Sequence, residues 1–368
     1  MLRVGLIGWR GMVGSVLLER MREESDFTGI EPVFFSTSNI GGLAPPEAAG
    51  APLSDARNRK DLVACDVLIS CQGSKYTNGI YSPLRKSGWN GYWIDAASTL
   101  RMSDDTVIVL DPVNADVIHR GLANGLRTFA GGNCTVSLML MAVSGLLKAG
   151  LVEWVTTMSY QAASGAGAAK MLELVKQMEA LTEPTRKTPS ENALEVDRRM
   201  MEAQRSVSLP TAEFGAPLAG SLLPWIDKEM PGGQTKEEWK GMAEGNKILG
   251  LHPAVPIDGI CVRIGTMRCH SQALSIKLKT DVALAEIESI LAAANPWVRI
   301  LPNTREVSLR CLTPTAVSGT LHIPVGRLHK LNIGPEFLGA FTVGDQLLWG
   351  AAEPLRRMLG LLREHLGA

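Results

Sequence analysis

A doubly wound α/β nucleotide domain joined to an α+β domain with a mixed sheet is the architecture this sequence predicts. Three observations carry it. Short β-rich runs alternate with amphipathic stretches over the first third, spaced glycines follow the first run, and longer strands with two-residue alternation appear after Gly131. The 368 residues suit two cores, because domains usually run to about 100–200 residues. The expected division is 1–132 for the nucleotide domain, completed by a C-terminal helix over about 353–368, and 133–352 for the second domain.

The β-rich runs of the first domain are Leu2 to Ile7, Pro32 to Phe35, Asp66 to Cys71, Tyr92 to Ile94, Val107 to Leu110 and Arg127 to Phe129. Helical stretches lie between them at Gly14 to Glu23, Tyr76 to Lys86 and Asn114 to Asn124. Such a series makes a parallel sheet covered by helices on both faces, with nucleotide at the carboxyl ends of its strands. Beyond Gly131, Ser271 to Thr280 alternates apolar and polar side chains, and Arg305 to Arg310 and Val325 to Ile333 read as strands in the same way. The expected sheet is antiparallel or mixed, with one face open to water or to a partner. Residues 182–214 read as an excursion outside the core. The last segment, "GDQLLWGAAEPLRRMLGLLREHL", is amphipathic and helical, with Pro354 either kinking it or starting a second helix.

Charge excludes several classes of function. The 37 basic and 37 acidic residues cancel, so no general attraction to nucleic acid or to an anionic membrane is expected. The N-terminus lacks the apolar core of a signal peptide and no run is long enough to span a bilayer. A soluble cytoplasmic protein is the expectation. Cys65, Cys71, Cys134, Cys261, Cys269 and Cys311 form no C-x-x-C pair, so most are expected to be small buried hydrophobes, and no metal site is expected.

In "VGLIGWRGMVGSVLLERM", Gly8, Gly11 and Gly14 stand between the first strand and the first helix. Glycines there permit a tight turn and close backbone approach to a pyrophosphate, which the helix-start amides then face. The second strand ends in Ser36-Thr37-Ser38, with no carboxylate at its tip. Hydroxyls and the guanidinium of Arg10 suit a 2′-phosphate, so NADP is favoured over NAD.

"GGNCTV" places Cys134 after Asn133, a good N-cap, and so at the first position of a helix. A helix N-terminus lowers a thiol pKa, which makes Cys134 the expected thiolate nucleophile. Beside a nicotinamide site this chemistry is attack on an aldehyde, hydride transfer and a thioester intermediate. Such chemistry calls for a base. His270 lies between two β-rich runs, whereas His119, His252, His322, His329 and His365 stand in charged or loop-like surroundings. Arg263 and Arg268 of the same stretch suit an anionic substrate.

The blocks "GLIGWRGMVGSVLLERM", "PVFFSTSN", "GYWIDAASTLRM", "GGNCTVSLMLM", "YQAASGAGA", "GSLLPWIDKE", "EEWK", "CVRIGTMRCHSQA" and "FTVGDQLLWGAAEPLRRML" together resemble the aspartate-β-semialdehyde dehydrogenases of the Gram-negative bacterial type, nearly end to end. The resemblance implies a glyceraldehyde-3-phosphate-dehydrogenase-like architecture with a Rossmann-type domain, and a homodimer built on the second domain's sheet. It implies the reversible, NADPH-dependent reductive dephosphorylation of L-4-aspartyl phosphate to L-aspartate 4-semialdehyde, with release of inorganic phosphate, on the route to lysine, methionine and threonine. By motif it makes Cys134 the nucleophile, His270 the acid/base and Gln161 the group that orients the reacting centre. Arg263 would clamp the substrate carboxylate and Glu237 would face its amine. Arg101, Asn133 and Lys240 would bind phosphate. For NADP(H) it implies Gly8, Arg10, Gly11, Met12, Val13, Thr37, Ser38, Gln72, Gly73, Ser164, Gly165 and Gln346. The chain departs from the family over Leu181 to Ser208, and at Cys311, where the family has glutamate. Two other readings stay open here: a same-mechanism enzyme acting on glyceraldehyde 3-phosphate or N-acetylglutamyl phosphate, and an NADPH-sensing protein without turnover.

Overall fold

A computed structural model describes residues 1–186 and 192–367. The first sheet holds β1 Leu2–Ile7, β2 Ile30–Ser36, β3 Ser54–Asp55, β4 Val67–Ser70, β5 Tyr92–Asp95, β6 Thr106–Val109 and β7 Thr128–Gly131. Their order is β3-β2-β1-β4-β5-β7-β6, every pairing parallel. β4 and β5 are buried at every residue, as sequence runs without alternation require when helices cover both faces. Strand order reverses between β1 and β4, which opens a crevice beyond their carboxyl ends. The two-residue β3 escapes sequence reading.

The second sheet holds β8 Val152–Gln161, β9 Leu222–Leu223, β10 Ile257–Ile264, β11 Cys269–Leu278, β12 Val298–Ile300, β13 Ile323–Lys330 and β14 Phe337–Asp345. Its order is β12-β13-β14-β11-β8-β10-β9, with β8–β10 and β12–β13 parallel and the other pairs antiparallel. One face carries the helix Cys134–Lys148, whose Val136 to Leu147 side pack with Ile257, Leu274, Ile276 and Leu338. That packing fixes the helix start at the strand ends.

The C-terminal segment returns to the first sheet. A π-helical turn over Leu348–Ala352 leads into the helix Glu353–Leu366, with Pro354 in its first turn. Pro354 therefore starts a helix, where its missing N–H costs nothing. Leu355, Met358, Leu359 and Leu362 join the core around Val4, Ile69 and Ile94, and Arg356 pairs with Asp26 at 3.0 Å.

Two expectations change. Arg305 to Arg310 is not a strand but lies in the helix Arg305–Cys311, begun by Thr304, whose hydroxyl accepts from the Val307 N–H. Over six residues an alternating pattern also fits a helix with no buried face, and none of these residues is buried. The excursion over 182–214 is tied at its base rather than detached: Leu181, Leu209 and Leu218 pack with Leu174, and Gln177 Oε1 accepts from the N–H groups of Leu218 and Ala219. Its helix Ala193–Arg205 buries no residue, and 187–191 lie outside the described residues. Among the described residues no helix is long and apolar enough to cross a membrane.

Candidate active site

Asn133 caps the Cys134–Lys148 helix as its sequence predicts: Oδ1 accepts from the N–H groups of Thr135 and Val136, each at 3.1 Å. Its other contacts reach across the fold. Nδ2 donates to Glu237 Oε1 at 2.9 Å, and its backbone N–H donates to Glu244 Oε2 at 2.7 Å. The cap thus ties the start of the Cys134 helix to the helix that carries Glu237 and Glu244.

His270, on β11 and buried, brings Nε2 to 3.2 Å from Cys134 Sγ. The Ala162 N–H donates to its Nδ1 at 3.0 Å. With Nδ1 accepting, the neutral ring carries its proton on Nε2, aimed at the sulfur. Burial and the Arg263 charge hold its pKa down at about 3. In this geometry His270 is a hydrogen-bond donor, and the acid/base role that the resemblance implies requires the ring to leave the Ala162 amide. Arg263, at the end of β10, donates from Nη1 to the Ala162 carbonyl at 2.6 Å. Gly165 packs against both: a Cβ there would stand 3.0 Å from Arg263 Nη1 and 3.1 Å from His270 Cε1.

The expected low pKa of the thiol is overturned. Burial, then the Glu237 carboxylate, push Cys134 up to about 11 against the opposing charges of Arg263, Lys240 and Arg101. The helix terminus supplies little, because the amides that would face a thiolate already bond to Asn133 Oδ1. In the ligand-free protein at pH 7 we therefore expect iodoacetamide to label the exposed Cys311 ahead of Cys134. Labelling of Cys134 should climb about tenfold per pH unit between 7 and 10 as thiolate forms. A rate already flat at pH 7 would show that the thiol is ionised and burial does not govern it.

Glu237, Lys240 and Glu244 stand at i, i+3 and i+7 on the helix Lys236–Leu249, and all three are buried. Glu237 Oε1 accepts from Asn133 and from Gln161 Nε2, the latter at 3.0 Å, while Oε2 accepts from Lys240 Nζ at 2.7 Å. Burial alone would push its carboxyl up, but Lys240 and these donors outweigh burial and hold it at about 2. Lys240 Nζ also donates to Asp227 Oδ2 at 3.1 Å. Arg101 crosses from the first domain, donating from Nε to the Gly131 carbonyl at 2.6 Å and pairing through Nη1 with Glu244 at 3.2 Å. Arg268 plays no part: it pairs with the buried Asp345. A cavity of about 470 Å³ brings Cys134, Asn133, Gln161, Glu237, Lys240, Arg263 and Arg101 together with Met12, Val13, Ser164, Gly165 and Gln346.

The nucleotide crevice continues from it. A cavity of about 360 Å³ is lined by Gly8, Arg10, Gly11, Ser36, Thr37, Ser38 and Gln72. Gly8 has φ +75°, and a Cβ there would lie 2.7 Å from the Cys71 carbonyl carbon and the Gln72 nitrogen. Only glycine leaves this cradle open to a pyrophosphate. Arg10 Nη2 donates to the hydroxyls of Ser36 at 2.8 Å and Ser38 at 3.3 Å. Gln346 Nε2 donates to Ser164 Oγ at 2.7 Å. Gly73 caps the helix Ser74–Lys86 and lines neither cavity.

Comparison with known proteins bears on this arrangement. A family model described as semialdehyde dehydrogenase, NAD binding domain, matches residues 3–120, and one described as semialdehyde dehydrogenase, dimerisation domain, matches residues 143–349. A solved aspartate semialdehyde dehydrogenase from Francisella tularensis is 48% identical, with 99% of this chain and 100% of that chain covered and a TM-score of 0.95. The chain belongs to the aspartate-semialdehyde dehydrogenase family. More distant structures share its fold. Aspartate semialdehyde dehydrogenase II of Vibrio cholerae, complexed with ASA, is 21% identical with TM-score 0.81, covering 99% of this chain and 98% of its own. The Candida albicans enzyme with NADP is 13% identical with TM-score 0.67, covering 100% and 99%.

As a member of the aspartate-semialdehyde dehydrogenase family, the chain has site residues that sequence reading missed. Glu244 fixes Arg101 and the Asn133 amide, Asp227 shares Lys240, and the Ala162 backbone sets both His270 and Arg263. Neither Glu244 nor Ala162 had a local signal: Glu244 shares the spacing of an ordinary solvated helix face with Glu237 and Lys240, and Ala162 acts through its backbone.

Proposed function

We propose that this chain is an NADPH-dependent aspartate-β-semialdehyde dehydrogenase, converting L-4-aspartyl phosphate reversibly to L-aspartate 4-semialdehyde and inorganic phosphate through a thioester on Cys134. One observation carries the reading. Cys134 and His270 meet at 3.2 Å beside a cavity whose wall holds the buried Arg263, the buried Glu237 and three further cations, Arg101, Lys170 and Lys240. Arg263 suits the α-carboxylate, Glu237 the α-ammonium, and Arg101 with Lys240 the phosphate. Glyceraldehyde 3-phosphate offers no amine for Glu237, which disfavours it as substrate.

The acyl-transfer half of the reaction balances on these groups. Cys134 sulfur bonds to the acyl carbon as the bond to the phosphate oxygen breaks, and the thiol proton leaves on the phosphate, giving thioester and hydrogen phosphate. His270 presents Nε2–H beside the sulfur and supports negative charge on the attached oxygen in tetrahedral states. Gln161, held by Glu237, keeps the polar wall in place. NADPH, when bound in the crevice, supplies the hydride, and the cradle at Gly8 with the Arg10–Ser36–Ser38 set suits its pyrophosphate and 2′-phosphate. Residues 1–132 with the C-terminal helix would hold the nucleotide, and 133–352 the chemistry.

A homodimer fits the outer face of the second sheet. Met158 and Tyr160 of β8 lie in register with Ile260 and Val262 of β10, and Phe337 and Phe341 extend the same apolar surface from β14. Ile260 is 52% exposed in the single chain, and an apolar strip left open on a sheet face suits a protein interface.

The test is NADP reduction with aspartate-β-semialdehyde and phosphate. Activity that requires phosphate and prefers NADP to NAD is the expected result. No turnover in folded protein that binds NADPH would leave the sensing reading in its place.

A further inference from the structure

We propose that Arg57 and Lys75, which sequence reading assigned no role, form a second basic wall that recognises the 2′-phosphate of the nucleotide opposite Arg10. The inference rests on the NADP reading above and adds residues to it.

A further cavity of about 470 Å³ adjoins the glycine-loop cavity, sharing Thr37 and Gln72, and is lined also by Arg57, Lys75, Tyr76 and Ile80. Arg57 Nη1 donates to the Thr37 carbonyl at 3.2 Å. Its guanidinium is thereby held at the tip of β2, the place where doubly wound folds read the ribose 2′ substituent. Among the described residues its Nε and Nη2 bond to no protein group, and neither Arg57 nor Lys75 forms an ion pair. Asp55 is opposite Ser36 in the register of β2 and β3, which would suit it to bind a ribose hydroxyl. Its Oδ1 instead accepts from the Arg57 backbone N–H at 2.8 Å, and it lines neither cavity.

Arg10 reaches the strand tip from the glycine-loop side, through Ser36 and Ser38. Arg57 and Lys75 reach it from the other. Arg10 lines one and Arg57 with Lys75 the other of two adjoining cavities that share Thr37 and Gln72, and a phosphate dianion placed there gains from these cations where a hydroxyl gains little. The wall therefore separates NADP from NAD by charge, while Tyr76 and Ile80 give the apolar surface that an adenine would take in either cofactor. Lone solvated cations would contribute no such separation.

The experiment measures NADPH and NADH dissociation constants for the natural protein, Arg57→Ala, Lys75→Ala and the double variant, with Tm as the check on folding. In the double variant NADPH binding should weaken by about tenfold or more, NADH binding should stay within about twofold, and the salt dependence of NADPH binding should flatten. NADPH affinity unchanged in the double variant overturns the inference alone. So does equal weakening of both cofactors, which would assign the two side chains to the adenosine. A natural protein that binds NADH as tightly as NADPH overturns the cofactor reading itself, and this inference with it.

Discussion

Cys134→Ala is expected to lower phosphate-dependent NADP reduction by about four orders of magnitude or more while leaving NADPH affinity within about twofold. No other sulfur replaces it, because Cys134 is the one cysteine that lines the site cavity: Cys65, Cys261 and Cys269 are buried outside its lining, Cys71 lies at the glycine-loop crevice and Cys311 is exposed on the helix after β12. Cys134→Ser tests the histidine at the same time. A serine hydroxyl needs a base to lose its proton, and the Ala162 amide holds His270 with Nδ1 accepting and Nε2 protonated. The serine variant should therefore be about as inactive as alanine. Serine activity within about a hundredfold of natural would mean that Nε2 takes protons in the working enzyme, so that the ring leaves Ala162 before chemistry begins. Activity surviving in the alanine variant would remove the thioester from the mechanism.

Local signals in the sequence carried the fold, and a tertiary effect reversed one reading of the site. Six strands of the first sheet announce themselves because buried parallel strands are short unbroken apolar runs, and the glycine loop because Gly8 has no alternative at φ +75°. β3 is too short for any period, and Arg305 to Arg310 too short to separate two periods. Asn133 as a cap was legible, since capping is a contact within three residues. The thiol pKa was not. The local rule gave the helix terminus the larger voice, whereas Asn133 Oδ1 had already engaged those amides and burial set the sign, reinforced by Glu237 about a hundred residues away in sequence. The same holds for the pairing of Cys134 with His270, on different elements 136 residues apart, which only family resemblance could suggest. On the Lys236–Leu249 helix, Glu237, Lys240 and Glu244 have the spacing of an ordinary solvated face. Burial against Asn133, Gln161 and Arg101 turns that face into the floor of the site.

Glu237→Gln should move two measurements in opposite directions. It removes the carboxylate that faces the proposed ammonium, so kcat/KM for aspartate-β-semialdehyde should fall by about a hundredfold, as for loss of a buried charge-assisted hydrogen bond. It also removes the anion whose field, after burial, does most to hold the Cys134 thiol protonated. Lys240, losing one of its two carboxylate partners, then adds positive potential near the sulfur. The thiol pKa should drop by about one unit, and alkylation of Cys134 at pH 8 in the ligand-free variant should rise about tenfold. A merely structural role for Glu237 would not raise thiol reactivity while Tm and NADPH affinity held. Unchanged kcat/KM would dismiss the ammonium contact, and unchanged alkylation would dismiss the coupling. The same electrostatics operate on the natural enzyme when substrate arrives. An ammonium on Glu237 cancels the charge that raises Cys134, and a carboxylate on Arg263 cancels the charge that, after burial, depresses His270. Arg263 also lowers Cys134, so it is the ammonium end of an amino-acid substrate that favours the thiolate, and a substrate lacking that end would meet a thiol still held neutral.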